Sequence, residues 1–213
     1  MLLKPFIFLG IFAANAWGQL ALKDGSIVFA SNGRDLQLTR PSTDYDASLS
    51  CDGQSAVFVR RGPRRPAASE GLGDRDGNEL WAIFGDDPTS ARQTLANTQD
   101  SGKWLGLITP QLSVDGESIF FMNWFGNGYS LSELSLRSGR AQTIAGSVTD
   151  FWVLCSGPFR GGVAILEDHL KLAGGHMLLY WLYTKDGRKL LIGTTDADLQ
   201  AILGVAHKNS VRR

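Results

Sequence analysis

Short apolar runs separated by glycine-rich polar turns set the pattern of this chain. Ala56-Val57-Phe58-Val59, Ile119-Phe120-Phe121-Met122, Val163-Ala164-Ile165-Leu166 and Leu179-Tyr180-Trp181-Leu182-Tyr183 are short and bounded by turn residues, so they predict strands. Asp-Gly pairs between such runs supply the positive-φ positions of tight hairpins, which glycine reaches without a Cβ clash. Two stretches repeat. Leu49-Ser50-Cys51-Asp52-Gly53-Gln54-Ser55 and Leu112-Ser113-Val114-Asp115-Gly116-Glu117-Ser118 each precede an apolar run, and a fainter copy runs from Trp152 to Gly157. Further strands are expected at Glu79–Phe84, Leu131–Leu136, Ala141–Ile144 and Leu190–Ile192, the last after the turn Lys185-Asp186-Gly187-Arg188. Four short strands per unit make up a propeller blade.

Asp52 and Asp115 are 63 residues apart, and Asp115 and Ser156 are 41 apart. The longer interval holds a Pro/Gly/Arg-rich insertion, 60–78, within a hairpin. Without most of it, both intervals approach the roughly 40–45 residues of a blade. The hairpins resemble the TolB-like, WD40-like β-propeller repeat, whose signature is Ser-Pro-Asp-Gly before an apolar strand. Cys51 and Val114 stand here in place of the proline. The resemblance implies an all-β fold, a small propeller-like ring of three to four four-stranded antiparallel sheets. The alternative is a sandwich or meander sharing only its turn chemistry. Units begin near Tyr45, Thr109 and Phe151. Ser26–Ala30 and Asp35–Leu38 are expected to pair with Leu199–Leu203 to close a fourth; an open ring would leave edges for a partner or a homodimer.

Residues 1–18 belong to a different class. One charge, Lys4, precedes the apolar run Pro5–Ala14, and the small residues Ala14, Ala16 and Gly18 follow. This is the pattern of a secretory signal peptide, cleaved after Ala16 or Gly18. The run is shorter than the about 20 residues of a membrane span. Residues 19–206 are then a propeller-like domain, periplasmic or secreted, and 207–213 a polar tail. A hydrophobic fraction of 43% and a charged fraction of 20% exclude a disordered chain. The balance of 21 basic and 21 acidic residues argues against a general nucleic-acid binder.

Candidate chemistry is sparse. No Gly-x-Ser-x-Gly elbow occurs, and His169, His176 and His207 match no zinc spacing. In Gly73–Glu79, Asp74, Asp76 and Asn78 alternate like calcium ligands, but Gly85 occupies the twelfth position, where a calcium loop needs a carboxylate. No catalytic residue, metal or cofactor is therefore expected. Cys51 and Cys155 occupy matching places in two repeats. Export permits a disulfide. Matching turns on separate blades usually lie farther apart than the roughly 4.4–6.8 Å between Cα atoms that a disulfide spans, although a compact three-unit ring relaxes that objection. A disulfide and two buried thiols both stay open.

Two segments suit a protein partner. Arg60, Arg61, Arg64 and Arg65, stiffened by Pro63 and Pro66, form a local positive spot on a neutral chain. Trp124, Phe125, Gly126, Asn127, Gly128, Tyr129 and Ser130 have the composition of a recognition loop. The stretch from Leu112 to Val153 also resembles periplasmic immunity proteins against type VI-delivered peptidoglycan amidases. The shared features are the Leu-Ser-x-Asp-Gly hairpin, Met122-x-x-Phe125, a Gly/Ser loop ending in Glu133-Leu134, and Trp152. That resemblance implies a loop, with Ser130 as its serine, entering a peptidoglycan-degrading effector. The leading expectation is a non-enzymatic periplasmic binding module. Its alternatives are a scaffold of an envelope complex, or an envelope hydrolase or lyase in which Asp150, Asp168 and His169 would meet in the ring's mouth.

Overall fold

The structure, a computed structural model, describes residues 19–31, 34–62, 79–85, 87–96, 106–124, 128–170 and 176–195. Within them β1 (Gln19–Lys23), β2 (Ser26–Ser31) and β3 (Arg34–Gln37) form a three-stranded sheet. Three four-stranded sheets follow. The first blade holds β4 (Asp44–Leu49), β5 (Ala56–Arg60), β6 (Glu79–Phe84) and β7 (Asp87–Ala96). The second holds β8 (Gly106–Leu112), β9 (Ser118–Trp124), β10 (Tyr129–Ser135) and β11 (Ala141–Ala145). The third holds β12 (Val148–Val153), β13 (Val163–Leu170), β14 (His176–Tyr183) and β15 (Lys189–Gly193). Every sheet is an antiparallel meander, and among the described residues the ring of sheets is not closed. β1 had no counterpart among the expected strands. Leu199–Leu203, expected to close the fourth sheet, lies outside the described residues, as do 1–18 and 207–213.

Stacking of the sheets explains why the central strands are continuous apolar runs. Successive side chains of a strand point to opposite faces. In β5, Ala56 and Phe58 pack with Leu20 and Ile27 of the three-stranded sheet, whereas Val57 and Val59 pack with Leu107, Ile119 and Phe121 of the second blade. In β9 the alternation repeats. Ile119 and Phe121 face the first blade, and Phe120 and Met122 face Phe151, Val163 and Ile165 of the third. A strand covered on both faces needs an apolar residue at every position.

The Ser-x-Asp-Gly turns share one hydrogen-bonded box. Ser50 Oγ donates to Asp52 at 2.6 Å and accepts the Ser55 N–H at 2.9 Å, while Asp52 accepts the Gln54 N–H. Ser113, Asp115, Glu117 and Ser118 repeat these bonds. The third box is not at the expected Trp152–Gly157 copy, where a longer connection joins β12 to β13. It lies between β14 and β15, where Thr184 bonds Asp186 and accepts the Arg188 N–H.

The leading strands β4, β8 and β12 are tied to one another through side chains. Asp46 accepts the Thr109 N–H at 3.1 Å, and Ser48 Oγ donates to the Pro110 carbonyl at 2.6 Å. Gln111 donates to the Phe151 carbonyl and accepts the Val153 N–H. Each strand carries a bulge beside these contacts, and Asp46 and Thr109 take positive φ values of 51° and 48°. Bulges re-aim the backbone, here beside the neighbouring leading strand. Cys51 and Cys155 form a disulfide, with Cα atoms 5.3 Å apart. Distance does not forbid it, because both residues lie in connections that follow leading strands.

Candidate binding surface

The blades run in the same sense. Asp46 and Ser48 meet Thr109 and Pro110 in ascending order, and the disulfide joins the turn after β4 to the connection after β12. The Ser-x-Asp-Gly turns therefore share one end of the stack. The other end carries the mouths of the β5–β6, β9–β10 and β13–β14 hairpins, framed by the pairs Arg60–Glu79, Trp124–Tyr129 and Leu170–His176. This loop end brings together the strand ends that lead into both segments expected to meet a partner.

Arg60 is built into the sheet at this end. Its guanidinium makes two hydrogen bonds to Asp44, at 2.7 and 2.8 Å, and lies 4.1 Å from the Trp81 ring centroid. Asp44's side chain is fully buried and Arg60's is 14% exposed. Burial pushes the Asp44 carboxyl upward, but Arg60, the Arg40 amide and Thr43 together hold it below its usual range. The same hydrogen bond raises Arg60. Trp81 Nε1 donates to Glu79 at 2.8 Å, so both strands at this mouth are braced. Arg61 donates its N–H to the Thr43 carbonyl. Arg64, Arg65 and the Gly73–Asn78 stretch lie outside the described residues.

At the second mouth, Trp124 and Tyr129 pair across the hairpin with ring centroids 4.9 Å apart and planes tilted by 58°. Both are half-buried, and Tyr129 also packs against the core between the second and third blades. Ser130 pairs in register with Asn123, which is buried and accepts the Ser132 hydroxyl at 2.8 Å. Phe125, Gly126 and Asn127 lie outside the described residues; Gly128 has φ 157°.

The third mouth holds a cluster that the sequence did not suggest. Glu167 is buried, accepts from Lys189, and lies 3.0 Å from His169 Nε2. Lys189 Nζ is 4.5 Å from the Trp181 ring centroid. Glu167 and His169 are alternate residues of β13 and share the face of Val163 and Ile165, toward the second blade. Asp168 points to the opposite face, and Asp150 pairs with Leu166 on that same opposite face. Asp150, Asp168 and His169 therefore do not form one set. The signal for the cluster was Glu167-x-His169 continuing an apolar strand; Lys189, the cation that pairs with Glu167, is 22 residues away. Among the described residues, no group of three or more His, Cys, Asp or Glu side chains is arranged to hold a metal ion, and no helix is long and apolar enough to cross a membrane.

No protein-family model matches the chain, and no curated protein matches it. Solved structures do. An oligogalacturonate lyase from Vibrio parahaemolyticus is similar at 12% identity and a TM-score of 0.52, over 81% of this chain and 47% of that one. The tricorn protease is similar at 13% identity and a TM-score of 0.53, over 83% of this chain and 16% of its own. The fold is propeller-like. TolB from Acinetobacter baumannii aligns at 12% identity and a TM-score of 0.49, over 85% of this chain and 41% of that one. The chain thus spans less than half the length of each of these three proteins, and the likeness at such identities is one of fold.

Proposed function

We propose that the chain is an exported, non-enzymatic module that binds a protein partner through the loop end of its blades. The alignment of three hairpin mouths at one end of a stack braced at the other carries this reading. Rigid sheets hold recognition loops at fixed positions and reduce the ordering cost of binding. The contact residues would be Trp124, Phe125, Gly126, Asn127, Gly128, Tyr129 and Ser130, with Arg61, Arg64 and Arg65 beside them. Arg60 would hold the base of the insertion, since Asp44 and Trp81 already occupy its guanidinium. The Cys51–Cys155 disulfide supports the export reading, because disulfides persist in oxidising compartments such as the periplasm.

In its narrow form the partner is a peptidoglycan-degrading effector and the protein an immunity protein, a version resting on the sequence likeness from Leu112 to Val153 alone. The scaffold version has a resident envelope protein as partner. Asp150 of β12 and Asp168 of β13 lie on the opposite face of their sheet from His169, which weighs against the hydrolase or lyase alternative in the form that needed these three together.

Affinity capture with residues 19–213 as bait, followed by mass spectrometry, tests the reading. The expected result is one stoichiometric protein captured from envelope extracts or from the secretions of related cells. Capture of none from either source would count against a binding module.

A further inference from the structure

We infer that the Cys51–Cys155 disulfide is a clasp that completes a closed girdle around the leading strands, and that blade packing depends on its oxidation. The ties form a circuit. Asp46 and Ser48 join β4 to β8, Gln111 joins β8 to β12, and the disulfide returns from the end of β12 to the end of β4 across a sequence separation of 104. It skips the second blade, whose turn carries Val114 where the first blade's carries Cys51. No strand of one sheet pairs with a strand of another among the described residues, so side-chain packing, these few bonds and the Asp115–Lys185 bridge hold the blades together.

The clasp acts on the parts of the chain that reach beyond it. With the disulfide intact, the third blade is anchored to the second through the β11–β12 connection and to the first through Cys155. Once it is reduced, the covalent link that holds β12–β15 among the described residues is the β11–β12 connection. Gln111, the Asp115–Lys185 bridge and the packing against Phe120 and Met122 remain, but release of the blade no longer has to open a cross-linked loop. The second blade keeps both chain connections in either state. Cys155 is exposed, so a thiol can reach the bond in the folded protein. The circuit of ties makes release a property of one blade more than of the whole fold.

Reduction of the folded, oxidised chain by a phosphine, with alkylation to confirm two free thiols, avoids any requirement that a cysteine-free variant fold. Amide exchange is then followed strand by strand. The expected result is that β12–β15 exchange roughly a thousandfold faster, while β8–β11 keep their protection to within about twofold. A Cys51→Ala/Cys155→Ala chain should match the reduced protein. Unchanged exchange in β12–β15 overturns the inference, and so does an equal loss in all four sheets, which would make the bond a general stabiliser. No partner enters the measurement, so its outcome is independent of the binding proposal.

Discussion

The two ends of the stack solve the same problem, holding hairpins in place, by different means. At the turn end, Ser50, Ser113 and Thr184 satisfy short loops from within, and ties between blades reinforce them: the disulfide and the Asp115–Lys185 bridge at 2.8 Å. At the loop end, the long 61–78 connection leaves from strand ends braced by Asp44 with Arg60, and in the third blade Lys189, from the start of β15, reaches Glu167 of β13; each cation lies beside a tryptophan. The turn end ties blade to blade. The loop end braces single blades and leaves aromatic side chains, Trp124 and Tyr129, half-exposed at its rim. A scaffold that binds with one end needs that division.

The comparison can be broken most strongly at the turn end. Opening a closed loop of about 100 residues costs about 4–5 kcal/mol in the chain-entropy description, and here that loss should fall on the denaturant transition that releases β12–β15 in the Cys51→Ala/Cys155→Ala chain, leaving the transition of β8–β11 in place. A loss under about 1 kcal/mol would mean that the noncovalent ties suffice. At the loop end, Arg60→Leu leaves the Asp44 carboxylate buried without its partner. The cost should be about 3 kcal/mol in the same assay, the low end for a broken buried pair. If Asp44→Asn/Arg60→Leu recovers most of that loss, the pair acts as a brace and the cost came from the stranded charge.

The smallest effect is in the pH profile. Lys185, then Ser113, hold Asp115 down to about 2, and Arg188, then Thr184, do the same for Asp186. Both values lie below the ordinary aspartate value of about 3.9. A depressed folded-state value means the stabilisation is present above the unfolded value and is lost as pH falls toward about 2. Asp115→Asn should therefore flatten part of the decline between about pH 4 and 2. Its effect at pH 7 should be small, because water screens so exposed a bridge. An unchanged acid profile would remove the Asp115–Lys185 bridge from the account.

Much of this architecture was legible because each blade is made from local signals. Apolar runs at Val57, Phe121 and Ile165 and the Ser-x-Asp-Gly turns mark strands and hairpins within a few residues. What was hidden depends on contacts between blades. The third turn box escaped notice because Thr184 stands where the others have serine and because it sits two hairpins later in its blade. The disulfide depends on the convergence of leading strands, which no spacing expresses. Gln111 reads as an ordinary polar strand residue until Phe151 and Val153 are beside it. Asp168-His169 drew attention as neighbours, yet adjacent strand residues point apart; the geometric partner of His169 is Glu167.

The central claim, that the loop end is the surface a partner meets, is tested most directly by capture with three matched baits. These are the wild-type chain 19–213, Tyr129→Arg/Ser130→Arg at the loop end, and Asp186→Arg at the turn end, each checked for an unchanged β-sheet spectrum. The account predicts that the wild-type and Asp186→Arg baits retain the same partner while Tyr129→Arg/Ser130→Arg loses it. Retention by the loop-end bait with loss by the turn-end bait would contradict the account and move the binding surface to the Ser-x-Asp-Gly turns.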